Sequence, residues 1–157
     1  MSLKVLELEN NDSSRWDAFV EKSDDSTFFH RAGWKVVLEE AYGHKVHFLY
    51  AERDGYIEGV LPLAQVKSFL FGNNLVSLPF CVYGGVVADN KEAADSLVEA
   101  ACKLADGLKV DTLELRNLHK SDRNWPNKSL HYTFRRSISE DNDANMNAIP
   151  RKRRAMI

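Results

Sequence analysis

Cysteine and proline are scarce in this chain: two Cys and four Pro in 157 residues. Cys81 and Cys102 are too few, and too deeply set in apolar sequence, for a disulfide framework, and they read as reduced structural thiols. No apolar run approaches the roughly 20 residues that cross a bilayer. Met1-Ser2-Leu3-Lys4-Val5 lacks the core of a signal peptide. A soluble, cytoplasmic protein is expected. Charge of one sign is lacking too, since 21 basic residues meet 23 acidic ones, which argues against a general nucleic-acid coat protein. Metal-ligand spacing is absent. His44 and His47 lie three apart on a predicted strand, hence on opposite faces, and His119 and His131 have no Cys or carboxylate at ligand spacing. No Ser-His-Asp or Cys-His arrangement stands out. Neither His nor Lys lies near Cys81 in sequence to activate its thiol, so no catalytic residue is assigned.

Apolar residues are present in strength, at 44% with three Trp, eight Phe and five Tyr. That is ample for the core of one domain, which at this length buries roughly two-thirds of its unfolded surface. The charge is also unevenly spread. Residues 135–157 carry Arg135, Arg136, Arg151, Lys152, Arg153 and Arg154 against Glu140, Asp141 and Asp143, a positive pole on an otherwise acidic chain.

Residues 75–85, Leu-Val-Ser-Leu-Pro-Phe-Cys-Val-Tyr-Gly-Gly, read as a buried strand running through a Pro-aromatic turn into a Tyr-Gly-Gly loop. Pro79 has no amide hydrogen and ends regular pairing on its side. Gly84 and Gly85, without Cβ atoms, permit close approach of a ligand or another chain. A working cleft is expected here, with Phe80 and Tyr83 as its aromatic contacts.

The remaining elements follow from periodicity. Leu3–Glu9 is a short strand, and Asp12 or Ser13 caps a helix with Trp16, Phe19 and Val20 on one side. A second helix puts Trp34, Val37, Leu38 and Ala41 on one stripe and stops at Gly43. Lys45–Glu52 reads as an interior strand, Asp54-Gly55 as a tight hairpin turn, and Tyr56–Lys67 as a return strand in which Pro62 implies a bulge or an edge. Asp89 and Glu92 have capping-box spacing ahead of a helix with Ala94, Leu97, Val98, Ala101, Leu104 and Leu108 inward. Thr112–Leu115 and Leu130–Ile138 read as strands, separated by a polar loop. Ala144–Ile157 begins as a helix and ends without a cap, which reads as a truncated chain. The expected architecture is α/β (α+β), a mostly antiparallel mixed sheet with helices on both faces in a single domain over residues 1–157.

The order of strand, two helices, three antiparallel strands and a long helix resembles the GNAT acyltransferase fold. The wording is similar to the N-terminal half of FemAB-like proteins, which are tandem GNAT-like transferases. It is carried by Phe29 with Trp34, Gly59-Val60-Leu61-Pro62-Leu63, Gly72, Ser77-Leu78-Pro79-Phe80, Tyr83-Gly84-Gly85 and the ending 149–157. The resemblance implies transfer of an aminoacyl or acyl group to an amine of a bacterial cell-wall precursor. Aminoacyl-tRNA is the implied donor, and tRNA or a nucleotide-linked precursor the partner. It also implies a second GNAT-like half beyond this chain, without which the chain is inactive or pairs as a homodimer through the uncovered surface. A non-catalytic binding module and a CoA-dependent N-acetyltransferase are the alternatives. CoA enzymes of the GNAT fold carry Q/R-x-x-G-x-G/A ahead of the helix that follows the fourth strand, where amides hold the pyrophosphate. Here that stretch is residues 84–91, with no Arg or Gln before the glycines and Asp89 where the anion would sit, so acetyl-CoA is disfavoured and no other cofactor is firmly implied.

Each further candidate has two readings. His30 is a polar contact in the cleft or a capping or loop-anchoring residue, and Trp34 a core residue or a stacking platform. Arg116, ending an interior strand, must meet a carboxylate, solvent or an anionic ligand. Arg151–Arg154 is a solvated helical face or a set of phosphate contacts beside the cleft. As a helix it puts Arg151 and Arg154 on one side, with Lys152 and Arg153 elsewhere.

Overall fold

The structure, a computed structural model, describes residues 2–70, 72–120, 122–128 and 133–154. It divides into two compact units, Met1–Asp122 and Arg123–Ile157.

The first unit is one mixed sheet covered on both faces. Its strands are β1 (Lys4–Glu7), β2 (Lys45–Arg53), β3 (Tyr56–Ser68), β4 (Gly72–Ser77), β5 (Val87–Ala88) and β6 (Thr112–Glu114). They run β1-β2-β3-β4-β6 across the sheet, antiparallel except for the parallel pair β4–β6. Helix α1 (Ser13–Lys22) and the short α2 (Gly33–Val36) cover one face, and α3 (Lys91–Leu108) covers the other. Strand alternation sorts the side chains. Val46, Phe48 and Tyr50 join Trp16, Phe19 and Leu38 on the α1 side. Leu49, Ala51, Leu61 and Leu63 join Leu97 and Ala101 on the α3 side.

The hairpin β2–β3 turns on Asp54 (φ 51) and Gly55 (φ 83), the doubly left-handed geometry that Asp-Gly favours. Pro62 occupies neither a bulge nor an edge strand. It is fully buried opposite Phe48, and the one register shift between β2 and β3 falls at Ala51/Glu52. What lapses near Pro62 is pairing on the other side of β3. Gly59 and Val60 pair with β5, Leu63 to Ser68 pair with β4, and Leu61 and Pro62 lie between. A residue without an amide hydrogen is tolerated where no ladder asks for one.

Three local expectations are corrected. Residues 37–41 close a π-helical turn after α2, which widens the helix and shifts its phase. Leu38 is therefore buried, while Val37 and Ala41 are exposed and Trp34 is only half-buried. Helix α3 is capped by Asn90, whose side chain accepts from Ala93 N at 2.9 Å, while Asp89 donates its amide to Glu58 O at 2.8 Å. The cap is neutral, one residue beyond the expected carboxylate. The α3 stripe is Ala93, Leu97, Val98, Ala101 and Ala105, with Ala94, Leu104 and Leu108 half-buried beside it.

The second unit holds α4 (Asn142–Asn147) and α5 (Arg151–Arg154). Asp141 caps α4, accepting from Asp143 N at 2.8 Å and Ala144 N at 3.2 Å. The single helix expected from Ala144 is broken, because Pro150 cannot donate into it and its ring crowds the preceding turn. Of the expected strand Leu130–Ile138, residues 133–138 are exposed and irregular, and residues 130–132 lie outside those described. So do Ala155, Met156 and Ile157, at the end of the expected helix.

Leu97 is fully buried against the sheet, and its Cδ1 lies close to Gly59. Leu97→Ala is expected to cost about 2–5 kcal/mol of unfolding free energy, measured by urea denaturation with tryptophan fluorescence.

Candidate functional site

Beyond Ser77 the chain leaves the sheet and returns to it only at Val87. The excursion opens with a tight turn in which Cys81 N donates to Leu78 O at 3.2 Å. Pro79 takes the first central position and Phe80, at φ 70, the second, the pattern of a type II turn in which glycine is usual. Leu78 is also left-handed, at φ 46. A side chain in that region costs of order 1–3 kcal/mol and persists where its surroundings fix it.

Packing of Phe80 supplies part of that fixing. Its ring stacks on Tyr42, with centroids 4.4 Å apart and planes 18° apart, and lies 5.7 Å from the near-parallel His44 ring. Tyr42 and His44 flank Gly43 (φ 66), which turns the chain after the π-helical segment. Phe80 is nonetheless 62% exposed, and Val82 beside it is exposed as well. His44 Nε2 is buried and has no hydrogen-bond partner among the described residues.

The return leg is held from two sides. Gly84 N and Gly85 N both donate to Arg116 O, at 3.2 and 3.0 Å, and Val86 N donates to Asn117 Oδ1 at 3.1 Å. Arg116 N donates to Ser77 Oγ at 2.7 Å. The Arg116 side chain reaches back, Nη1 to Cys81 O at 2.8 Å and Nε to Glu114 at 2.7 Å. From the other direction His30 Nε2 lies 3.1 Å from Gly85 O. Thr27 N donates to His30 Nδ1 at 3.1 Å, so the proton of the neutral ring sits on Nε2 and is given to Gly85 O. Burial pulls the His30 pKa below its ordinary value, against the opposing bonds to Gly85 and Thr27. Burial likewise pushes the Cys81 thiol up, only partly offset by Arg116, so this cysteine is held as a thiol.

This geometry changes the expectation for the two glycines. The close approach they permit is made by the chain itself. A Cβ on Gly84 would meet Leu78 Cδ1 at 2.6 Å, and one on Gly85 would meet Asn117 Cα at 2.6 Å. Both are buried, Tyr83 is half-buried, and Phe80 and Val82 are the residues of the stretch presented outward. His30 anchors the loop from beneath. Trp34 packs on Phe29 and edge-on to Phe28, with centroids 5.6 and 6.0 Å away. Arg116 meets a carboxylate and backbone carbonyls. In the second unit Arg151 and Lys152 are exposed, while Arg154 is half-buried and donates to Asn147 Oδ1 at 3.2 Å. His119 forms a surface pair with Asp25 at 3.0 Å, and the described residues bring no three His, Cys, Asp or Glu together as a metal site.

Sequence reasoning missed Tyr42, His44 and Asn117. The signal for the first two was an aromatic and a histidine either side of a helix-stopping glycine, and nothing local linked them to Phe80.

No family model matches the chain, and no curated protein matches it. Solved structures do. A GNAT family acetyltransferase of Staphylococcus aureus is similar at a TM-score of 0.57 and 12% identity, over 86% of this chain and 99% of that one. AAC(6')-Iy, in complex with the bisubstrate analog CoA-S-monomethyl-acetylneamine, is similar at 0.56 and 11% identity, over 88% of this chain and 100% of that one. FemX is similar at 0.50 and 22% identity, over 68% of this chain and 25% of that one. Likeness at such low identity speaks to the fold alone.

Two outcomes are expected at this site. Phe80→Gly relieves the backbone while removing the Tyr42 stack, so unfolding free energy changes by no more than about 1 kcal/mol, whereas Gly84→Ala lowers it by at least about 2 kcal/mol. Chemical denaturation of both variants checks this. Since the folded pKa of His30 is depressed, its stabilising contribution is full above about pH 6.5 and is lost as pH falls from there through the folded value. Melting temperatures across that range should show a steeper acid loss in the parent than in His30→Gln.

Proposed function

From the GNAT acetyltransferase fold of this chain we propose that it is the GNAT-like part of an acyl- or aminoacyltransferase of the FemAB-like kind, joining an activated carbonyl to an amine of a cell-envelope precursor. The observation that carries this reading is the commitment of the amides between β4 and α3. Those of Gly84, Gly85, Val86 and Asp89 donate to acceptors within the chain, and in the first turn of α3 that of Ala93 donates to the Asn90 cap. A pyrophosphate needs such amides free at the helix start. Carboxylates also stand there: Glu58 accepts from Asn90 Nδ2 at 2.9 Å and from Arg53 at 2.8 Å, and Glu92 pairs with the same arginine. Arg53 holds Glu58 ionised by pulling its pKa down, and negative charge so placed opposes a bound phosphate. A donor whose acyl group is carried without a pyrophosphate anchor at this turn fits better, and aminoacyl-tRNA is such a donor.

In this reading catalysis is mainly alignment of amine and carbonyl as a bound pair. Phe80 offers the exposed ring against which a substrate packs, and Arg151 and Lys152 suit phosphate oxygens. Transfer itself depends on a companion GNAT-like lobe. A second reading, a CoA-dependent N-acetyltransferase, is favoured by the neutral Asn90 cap of α3 and by the CoA analog carried by the similar AAC(6')-Iy.

Titration of the purified chain separates the two. Acetyl-CoA is expected to bind more weakly than about 1 mM, and aminoacyl-tRNA to bind with an affinity that falls at least about fivefold in Arg151→Ala with Arg154→Ala. Micromolar acetyl-CoA binding would instead establish the second reading.

A further inference from the structure

Among the described residues, the hairpin joining β3 to β4 carries two large apolar side chains that the fold leaves in solvent. Phe69 and Leu70 are 103% and 81% exposed. The protrusion is held from its base. Ser68 pairs with Gly72, whose φ of 79 makes the turn, and Leu70 N donates to Ser68 Oγ at 3.3 Å. Asn73 locks the hairpin to its neighbours. Its amide reaches Asp111 at 2.8 Å, its side chain donates to Lys109 O at 3.2 Å, and its Oδ1 accepts from Gln65 at 2.8 Å. Two exposed apolar groups on a braced, convex tip are an unusual use of a soluble surface.

Charge around this tip says what it fits. Lys67 pairs across the hairpin with Asn73, and Lys45 begins β2 opposite Gln65. Lys109 is the left-handed cap of α3, whose carbonyl Asn73 holds. In step with Leu49 and Leu63, Lys45 and Lys67 alternate onto the α3 side, at the end of the sheet where α3 finishes. All three lysines are exposed, and none forms an ion pair among the described residues. The carboxylates closest in the chain are Asp111, bound to the Asn73 amide, and Asp106 in the last turn of α3. Among these groups three lysines stand against two carboxylates.

We propose that the β3–β4 tip is a peripheral membrane contact, with Phe69 and Leu70 entering the interface and Lys45, Lys67 and Lys109 resting on anionic lipid headgroups. A small apolar anchor alone binds bilayers marginally, and a basic patch beside it supplies the second attraction that stable binding needs. No helix of the described residues is long and apolar enough to cross a membrane, so the contact is one that rests on the surface. This assignment stands apart from the transferase reading, since none of its residues belongs to the loop at 78–86.

The test is co-sedimentation of the full chain with vesicles of phosphatidylcholine alone or mixed with phosphatidylglycerol. Binding is expected to the mixed vesicles, to fall at least about tenfold in Phe69→Ser with Leu70→Ser, and to fall comparably in Lys67→Glu with Lys109→Glu or at high salt. All four positions are exposed, so unchanged circular dichroism and melting serve as the folding control. Absence of binding to the mixed vesicles overturns the proposal, as does binding indifferent to the Phe69/Leu70 change. Concentration-dependent self-association that the same double variant abolishes, without vesicle binding, would give the tip to a second copy of the chain instead.

Discussion

Two amide hydrogens, those of Gly84 and Gly85, converge on the single carbonyl of Arg116, and the rest of the first unit is arranged so that they can. Strand β3 is long enough to serve two partners on one side, β4 along its second half and β5 at Gly59 and Val60. The chain between those partners must leave the sheet and come back. Without acceptors at its return it would carry unpaired amides into a buried place, which is costly. Arg116 O and Asn117 Oδ1 answer that need, and the proton-bearing His30 ring donates to the Gly85 carbonyl. The excursion is thereby part of the core on its return leg and part of the surface on its outgoing leg.

That division explains where strain is tolerated. Leu78 and Phe80 adopt left-handed backbone on either side of the buried Pro79, while the glycines that could have taken such angles are spent on close packing. Leu78 is buried and gains its burial energy in exchange. Phe80 gains only the Tyr42 and His44 rings and remains largely in solvent. A strained aromatic with so little compensation from packing is the feature on which the proposed substrate contact rests. Electrostatics is disposed in keeping with this. Arg53 with Glu58 and Glu92 sits at the start of α3, Arg15 with Asp12 and Glu52 ties α1 to the hairpin, and the loop, itself without a charged side chain, is held by Arg116 from beyond β6.

Much of the framework was legible in the residues. Asp54-Gly55 specifies a hairpin because few other pairs accept its angles, and the apolar repeat of α3 specifies its buried face within one position. The two helices after the first strand follow from spacing. Errors fell where a neighbour in space decided the outcome. Asn90 takes the cap from Asp89 because Glu58 O claims the Asp89 amide. The stripe through Trp34, Val37 and Ala41 fails because one extra residue per turn rotates it away from the sheet. Pro62 was expected to mark a bulge or an edge, since sequence cannot reveal that β3 changes partners beside that residue.

The sequence alone determined the main elements from the first strand to β6, though not β5, and the two-sided core, because periodicity and turn chemistry act over a few neighbouring residues. Tertiary structure alone decided what the glycines do. Nothing local indicates that Leu78 and Asn117 fill the space their missing side chains leave, or that Tyr42 and His44 lie beneath Phe80. The contacts to Asn117, Tyr42 and His44 join residues more than thirty positions apart, as between Gly85 and Asn117 or Tyr42 and Phe80, and packing of that range is fixed only when the whole sheet has closed.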